Sequence, residues 1–376
     1  MKRILLTFGL FFGLFVLSFA QDWPETILSG PFNTGHIQGF AVDKQHQCVY
    51  YSYTTMLVKT DLKGRVIGTV KGLLGHLGCL AFNDADRRVY GSLEYKNDAI
   101  GKGILRMENI NRQLDNAFYI AIFDGEKITR MDMDAEKDGI MTTVYLPMVL
   151  DDYLAEVNIE GKTHEHRLGC SGIDGVSFGP KFGKTGGKFY LTVAYGVYSD
   201  LQRSDNDYQV LLQYDVSKWR TYEQFLSQDK MHRNGPRKPS KQYFVYTGNT
   251  NYGVQNLEYD NDLKGWWMAV YPGEKASFPN YSLFLADGQT RPVKGKLKGI
   301  PYIKKGWIVP LRQQGMKDES SGVYGWNFPL GSTGVCALGD GLYYFSDNFK
   351  NDQGQGSVLR LYKYVGKEEL PFETTK

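Results

Sequence analysis

No C-x-x-C pair, no G-x-x-x-x-G-K-[ST] loop and no long run of helical periodicity occurs in this chain of 376 residues. Those absences exclude zinc ribbons, phosphate-loop nucleotide enzymes and helical bundles. The glycines of "GKG" (Gly101–Gly103) and "GKTGG" (Gly183–Gly187) lack both the spacing and the following helix that a phosphate loop needs. Charge of one sign is also missing: 44 Lys and Arg face 41 Asp and Glu, for a net +3. Nothing in that balance favours nucleic acid or an anionic membrane as a partner.

Cysteine is scarce, with four residues at Cys48, Cys79, Cys170 and Cys336. Three of them sit in small, apolar stretches ("GHLGCLAF", "LGCSGIDG", "TGVCALGD"), where a thiol behaves as a small buried hydrophobe. We therefore expect free buried cysteines rather than disulfides. The one long apolar run is at the start: Lys2 and Arg3, then Ile4–Phe19, then the small-x-small pattern Ser18-Phe19-Ala20. That is the layout of a secretory signal peptide spanning residues 1–20. The expected mature chain, 21–376, is then a single exported domain, secreted or periplasmic, without a membrane span and monomeric.

What the chain does contain is aromatic residues, at 14% with 26 Tyr and 21 Phe, and 43 Gly. Such composition suits many short strands joined by tight turns. The best helical candidate is Lys218–Asp229, where Trp219, Tyr222, Phe225 and Leu226 fall on one side. Elsewhere a repeat recurs. Its first strand is small and crowded with glycine: "IQGFAVD", "LGCLAFND", "IDGVSFG", "VQNLEYD", "TGVCALGD". A polar turn, an aromatic strand and further strands follow; in the second copy "FYIAIFDGEKITRMDMD" supplies the last two. Four-stranded units repeating every few tens of residues mark a β-propeller. The expected class is all-β, a propeller with five blades favoured. The segments "IMTTVYLPMVLDDYLAEVNIEG" and "KGKLKGIPYIKKGWIVPLRQQG" leave room for a sixth. "ETILSG", an orphan strand near the N-terminus, should complete the last blade and close the ring.

Polar residues near the starts of the innermost strands converge at the axis although they are scattered in sequence. His36 and Gln38 stand in the first copy, His76 in the second, Asp174 in the third, Gln255, Asn256 and Glu258 in the fourth, Ser332 and Thr333 in the fifth. Imidazoles in register on adjacent blades suit acid–base chemistry near neutral pH or metal ligation. His36, His76, Asp174, Glu258 and Glu94 are the candidate catalytic residues; Gln38, Gln255, Asn256 and Thr333 are the candidate substrate contacts. Strand alternation would put Asn256 and Glu258 on one face and Gln255 on the other. Glu94 has a salt bridge to a nearby lysine such as Lys96 as its alternative role. The stretch after it, "KNDAIGKGIL", should form a loop over the pocket. His164 and His166 would share a face only within a strand. Trp266, Trp267, Tyr271 and Tyr281 would serve either sugar stacking or blade packing.

The inner-strand pattern resembles secreted bacterial propellers. Its polar ring, with Asp174, Asn256 and Glu258, is similar to the gluconolactonase and strictosidine-synthase-like group, where such residues hold a divalent cation. "HIQGF" stands here in place of that group's glutamate before Gly-Pro. The five-bladed glycoside hydrolases, with three carboxylates around the axis, are the other comparison; Asp174 and Glu258 would be two of them. The axial residues point first to an exported hydrolase or lyase acting on a carbohydrate or similar small polar substrate; the alternatives are a calcium-dependent lactonase-like hydrolase, as the resemblance implies, and a non-catalytic propeller that binds a glycan or protein. No cofactor is required by the first; calcium belongs to the second.

Overall fold

A computed structural model describes residues 22–375; the expected signal peptide, 1–20, lies outside the described residues. Five blades surround a central channel. Blade 1 is the antiparallel meander Ile37–Asp43, Cys48–Tyr53, Met56–Asp61 and Val66–Lys71. Blade 2 runs His76–Asn83, Arg88–Tyr95, Ala117–Phe123 and Met141–Tyr145. Blade 3 comprises Cys170–Gly179, Tyr190–Val197, Tyr208–Tyr214 and Lys241–Tyr246. Blade 4 has three full strands, Thr250–Asp260, Gly265–Pro272 and Leu283–Asp287. Single bridges from Leu311 and Trp326 to its third strand cover the outer edge. Blade 5 is Val335–Gly339, Leu342–Asn351 and Gly354–Tyr364.

The N-terminal strand Thr26–Leu28 pairs antiparallel with Val358–Arg360, so the start of the chain closes the ring as expected. The C-terminal strand Phe372–Thr374 takes the next stretch of the same edge, opposite Tyr362–Tyr364. Ile27 is 1% exposed in a cluster with Phe40, Tyr51 and Tyr344 that joins blades 5 and 1.

Both segments that left room for a sixth blade are accounted for otherwise. The first contributes Met141–Tyr145, a short helix at Pro147–Tyr153, and half of a hairpin, Glu156–Ile159 with Lys162–Glu165. The second adds Val293–Gly295 and Gly306–Ile308 to the outside of blade 3. In blade 2 the segment after Phe123 does not return as the fourth strand. Met133–Asp134 instead crosses to pair parallel with blade 1. The expected helix over 218–229 is a 3-10 turn, Val216–Thr221, followed by an edge strand, Gln224–Phe225. Trp219 buries itself against Tyr214, while Phe225 is 63% exposed, so the apolar spacing serves two unlike elements. The glycine stretch read as a loop is instead a helix, Ala99–Met107, capped by Asp98 accepting from the Gly101 N–H at 2.9 Å.

The axis explains the repeat. Innermost strands pack against one another in ring order. A Cβ on Gly39 would lie 2.8 Å from Asn256 Oδ1, and one on Gly78 would lie 2.8 Å from Asp174 Oδ1. Aromatic rings fill the wider space between blades, as with Tyr50 and Phe82 (6.2 Å), Tyr90 and Phe178 (5.0 Å), and Trp267 and Tyr343 (6.4 Å). All four cysteines are free and buried. Among the described residues no helix is long and apolar enough to cross a membrane.

Closure by residues 26–28 carries a measurable stability. Ile27→Ala should cost about 2–5 kcal/mol in chemical denaturation, whereas Leu28→Ala, at a half-exposed neighbour on the same strand, should stay within about 0.5 kcal/mol. Equal effects would mean that the N-terminal strand is merely draped on the last blade.

Candidate functional site

In each of the first four blades the innermost strand breaks register with its neighbour near the middle of the channel. The shifts fall between Ile37 and Gly39, Leu77 and Leu80, Ile173 and Val176, and Val254 and Asn256. A bulge adds a residue and re-aims its side chain. Gln38, Asp174 and Gln255 are the residues so inserted, and all three are buried. In the fourth blade the register runs unbroken from Asn256 to Asp260, so Asn256 and Glu258 share a face as alternation requires, while Gln255 occupies the bulge. Gln255 donates to Asp174 Oδ2 at 3.1 Å, and its neighbour Asn256 donates to the carbonyls of Gln38 (2.8 Å) and Ser332 (2.9 Å).

Around Asp174 the strands assemble a charged cluster. His76 Nδ1 lies 3.8 Å from Asp174 Oδ1 and 3.8 Å from Glu94 Oε1. It has no hydrogen-bond partner. Glu94 faces His76 across the second-blade hairpin. Its Oε2 accepts from the Ile173 N–H at 3.1 Å, and its Oε1 meets Lys96 Nζ at 2.5 Å. The Lys96 ammonium, 4% exposed, also donates to the Ser171 carbonyl at 2.9 Å and stands 3.7 Å from Asp98. Asp98 accepts in turn from the Tyr198 hydroxyl at 3.2 Å. The alternative role foreseen for Glu94, a salt bridge to Lys96, is therefore present in the site itself.

Protonation follows from burial. Burial first, then the Lys96 and His36 charges, lowers His76 from 6.5 to about 3, so the imidazole is neutral. Burial, reinforced by repulsion from Glu94, pushes the Asp174 carboxyl well above its usual range. Burial also raises Glu94, against the pull of Lys96 and the Ile173 N–H. Lys96 is raised although burial opposes its charge, because Glu94 and Asp98 hold the ammonium. The cluster thus contains one firm ion pair and, beside it, a neutral imidazole next to a carboxyl that retains its proton.

His36 stands exposed on the same rim, its Nε2 3.2 Å from Gln38 Nε2. Gln38 also donates to Thr54 Oγ1 at 3.2 Å. Thr333 reaches only Ser346, at 3.4 Å. His36, His76, Glu94, Asp174, Gln38 and Gln255 thus gather at one end of the channel. Glu258 does not join them. It sits two residues deeper on its strand and accepts from the Ala337 N–H (2.9 Å) and Ser177 Oγ (3.3 Å). Asp174, Asn256 and Glu258 therefore do not converge as calcium ligands. Among the described residues no group of three or more His, Cys, Asp or Glu is arranged to hold a metal ion. Lys96 puts an ammonium among the carboxylates, where such a cation would otherwise balance them.

His164 and His166 part company. His164 lies on the hairpin, 3.5 Å from Asp200; His166 follows it at φ +63° and packs between Tyr153 and Tyr198. Trp266, Trp267 and Tyr281 are buried packing residues, leaving Tyr271 half-buried. Asp98 and Tyr198 were not foreseen. The D-x-x-G signature of a helix cap was available for Asp98, but Tyr198 carries no local signal.

No family model and no curated protein matches the chain. Among solved structures it is similar to the Dos1 propeller, at 11% identity over 90% of this chain with a TM-score of 0.32; it spans 58% of that chain's length. A GH43 β-1,3-galactosidase with galactodeoxynojirimycin matches at 10% identity over 92% of this chain and 97% of its own, with a TM-score of 0.43. The PQQ domain of pyranose dehydrogenase from Coprinopsis cinerea matches at 12% identity over 86% and 81%, with a TM-score of 0.33. These loose likenesses assign no chemistry to the channel.

Two stability measurements probe the cluster. Lys96→Met should cost about 3–5 kcal/mol by leaving Glu94 buried and unpaired, and adding Glu94→Gln should recover part of that loss in a double-mutant cycle. For His76 the unfolded chain takes up a proton near pH 6.5 and the folded one near 3. The unfolded state therefore binds more protons in between, and stability falls as pH drops from about 6.5 toward 3. Denaturation across that window should show a shallower acid loss for His76→Gln than for the wild type; identical slopes would refute the neutral imidazole.

Proposed function

We propose that this chain is an enzyme acting on a carbohydrate or similar small polar substrate at the histidine end of its channel. Asp174 donates a proton and neutral His76 accepts one, while Lys96 keeps Glu94 charged and in place. The observation that carries the reading is the unbonded His76 Nδ1 held 3.8 Å from both Asp174 and Glu94. A proton acceptor beside a carboxyl that keeps its proton can serve as general base and general acid for hydrolysis or elimination at a sugar. His36 and Gln38 on the rim, with Gln255 behind Asp174, supply hydrogen bonds for orienting hydroxyl groups. The proposal includes export, resting on the sequence of residues 1–20.

The second reading, a propeller that binds a glycan or protein without turning it over, is favoured by two features. The Asn256 amide already bonds two backbone carbonyls, and Lys96 is fully enclosed, as in a ring built for rigidity.

A screen of aryl glycosides, neutral oligosaccharides and uronate-containing polysaccharides separates the two. The expected outcome is turnover that drops by about 10²- to 10⁴-fold in Asp174→Asn and in His76→Gln, with a smaller loss in His36→Ala. Full activity in both of the first two variants would sink the enzyme reading. Saturable glycan binding without turnover, unchanged by either variant, would establish the second.

A further inference from the structure

Glu258 leaves the histidine cluster and becomes the floor of a different cavity. At the opposite end of the channel a funnel of about 560 Å³ opens between the ends of the innermost strands, a volume in the range of small-molecule sites. Phe40, Phe82, Phe178, Phe189 and Tyr259 contribute rings to its wall. Phe189 is 44% exposed and stands edge-on to Tyr259 at 5.7 Å. Glu258, on the innermost strand of blade 4, lines the funnel together with Ser177, and Asp84 and Asp262 line it from the turns outside.

We infer that this funnel is a second ligand site, taking a small organic cation whose ammonium binds Glu258 and whose body lies against the rings of the wall. Three observations lead there. First, among the described residues no ion pair to Glu258 is formed, and its two hydrogen bonds come from a backbone N–H and a serine. Second, the lysine of the funnel does not pair with Glu258: Lys44 Nζ donates to the carbonyls of Ala337 (3.1 Å) and Leu338 (2.8 Å) on the funnel wall. Third, aromatic residues and a carboxylate line one cavity, the composition that suits an organic cation, and Asp84 and Asp262 add the same sign of potential as Glu258. A neutral sugar would use the rings but leave the carboxylate without an ionic partner.

Glu258 is faced by Lys44 from the first blade and by Cys336 from the fifth, with Asp260 on its own strand and Cys79 across the channel. Burial raises its carboxyl to about 7, against the Ala337 N–H and the Lys44 charge. An ammonium ligand would therefore bind more tightly as pH rises through 7, when the carboxylate forms, and would weaken below it.

The test is calorimetric titration of the full chain with phenethylamine and its neutral counterpart 2-phenylethanol, at pH 6 and pH 8. Phenethylamine should bind saturably at one site, at least ten-fold more tightly than the alcohol at pH 8, and more weakly at pH 6. Glu258→Gln should remove the advantage of the amine. Phe189→Ala, a change at an exposed ring that leaves the fold intact, should weaken the amine several-fold. His76→Gln should leave it unchanged, which separates this site from the histidine cluster. Equal affinity for the alcohol, no saturable binding, full retention in Glu258→Gln or in Phe189→Ala, or loss in His76→Gln would each overturn the inference.

Discussion

Crowding at the propeller axis is the constraint on which the rest of the structure depends. Five innermost strands point at one line, and the space between them admits little beyond glycine, alanine, serine and cysteine. At Gly39 and Gly78 even a methyl group would meet a neighbouring strand below 3 Å. The innermost strands of all five blades answer this with register shifts. Each bulge inserts one or two residues where the channel has room for a side chain. Gln38, Asp174 and Gln255 reach the axis for that reason, and they define the level at which the polar cluster sits.

Burying those groups in the channel has electrostatic consequences. A buried carboxylate survives as a charge only where a cation or N–H donors hold it. Glu94 has both Lys96 and the Ile173 N–H; Asp174 has one amide donor and a like-charged neighbour. The two carboxyls, contributed by different blades, are driven apart in proton affinity. The imidazole between them loses its own affinity to the same burial. An acid and a base thus arise from packing rather than from unusual residue types. At the far mouth Glu258 experiences the same burial without a cation at contact distance, so its carboxyl is raised although nothing else relates the two sites.

Much of this was legible in the chain. Glycine and small residues before an alternating strand, five times over, announced the blades. "ETILSG" announced the closure. His36, His76, Glu94 and Asp174 converge as their places in the repeat required. Gln255 joins them from a bulge, which no alternation pattern reveals. Glu258 was misassigned because two residues along a strand, some 6.6 Å, suffice to move a side chain toward the other mouth. The helix at Ala99–Met107 escaped notice because Gly101 and Gly103 speak against helix, while the Asp98 cap and the buried Ile104 and Leu105 outweigh them.

The sequence by itself determined the architecture, since periodicity and side-chain size respond to local geometry that recurs in every blade. It also determined which residue types stand near the axis. Only the tertiary structure decided which of them meet. Lys96 finds Glu94 within its own strand, but the Ser171 carbonyl, Asp174 and Tyr198 come from blade 3, and Ala337 reaches Glu258 from blade 5. Such contacts, and the proton affinities they impose, depend on how neighbouring blades rotate and bulge against each other. That is a property of the closed ring, and no single repeat carries it.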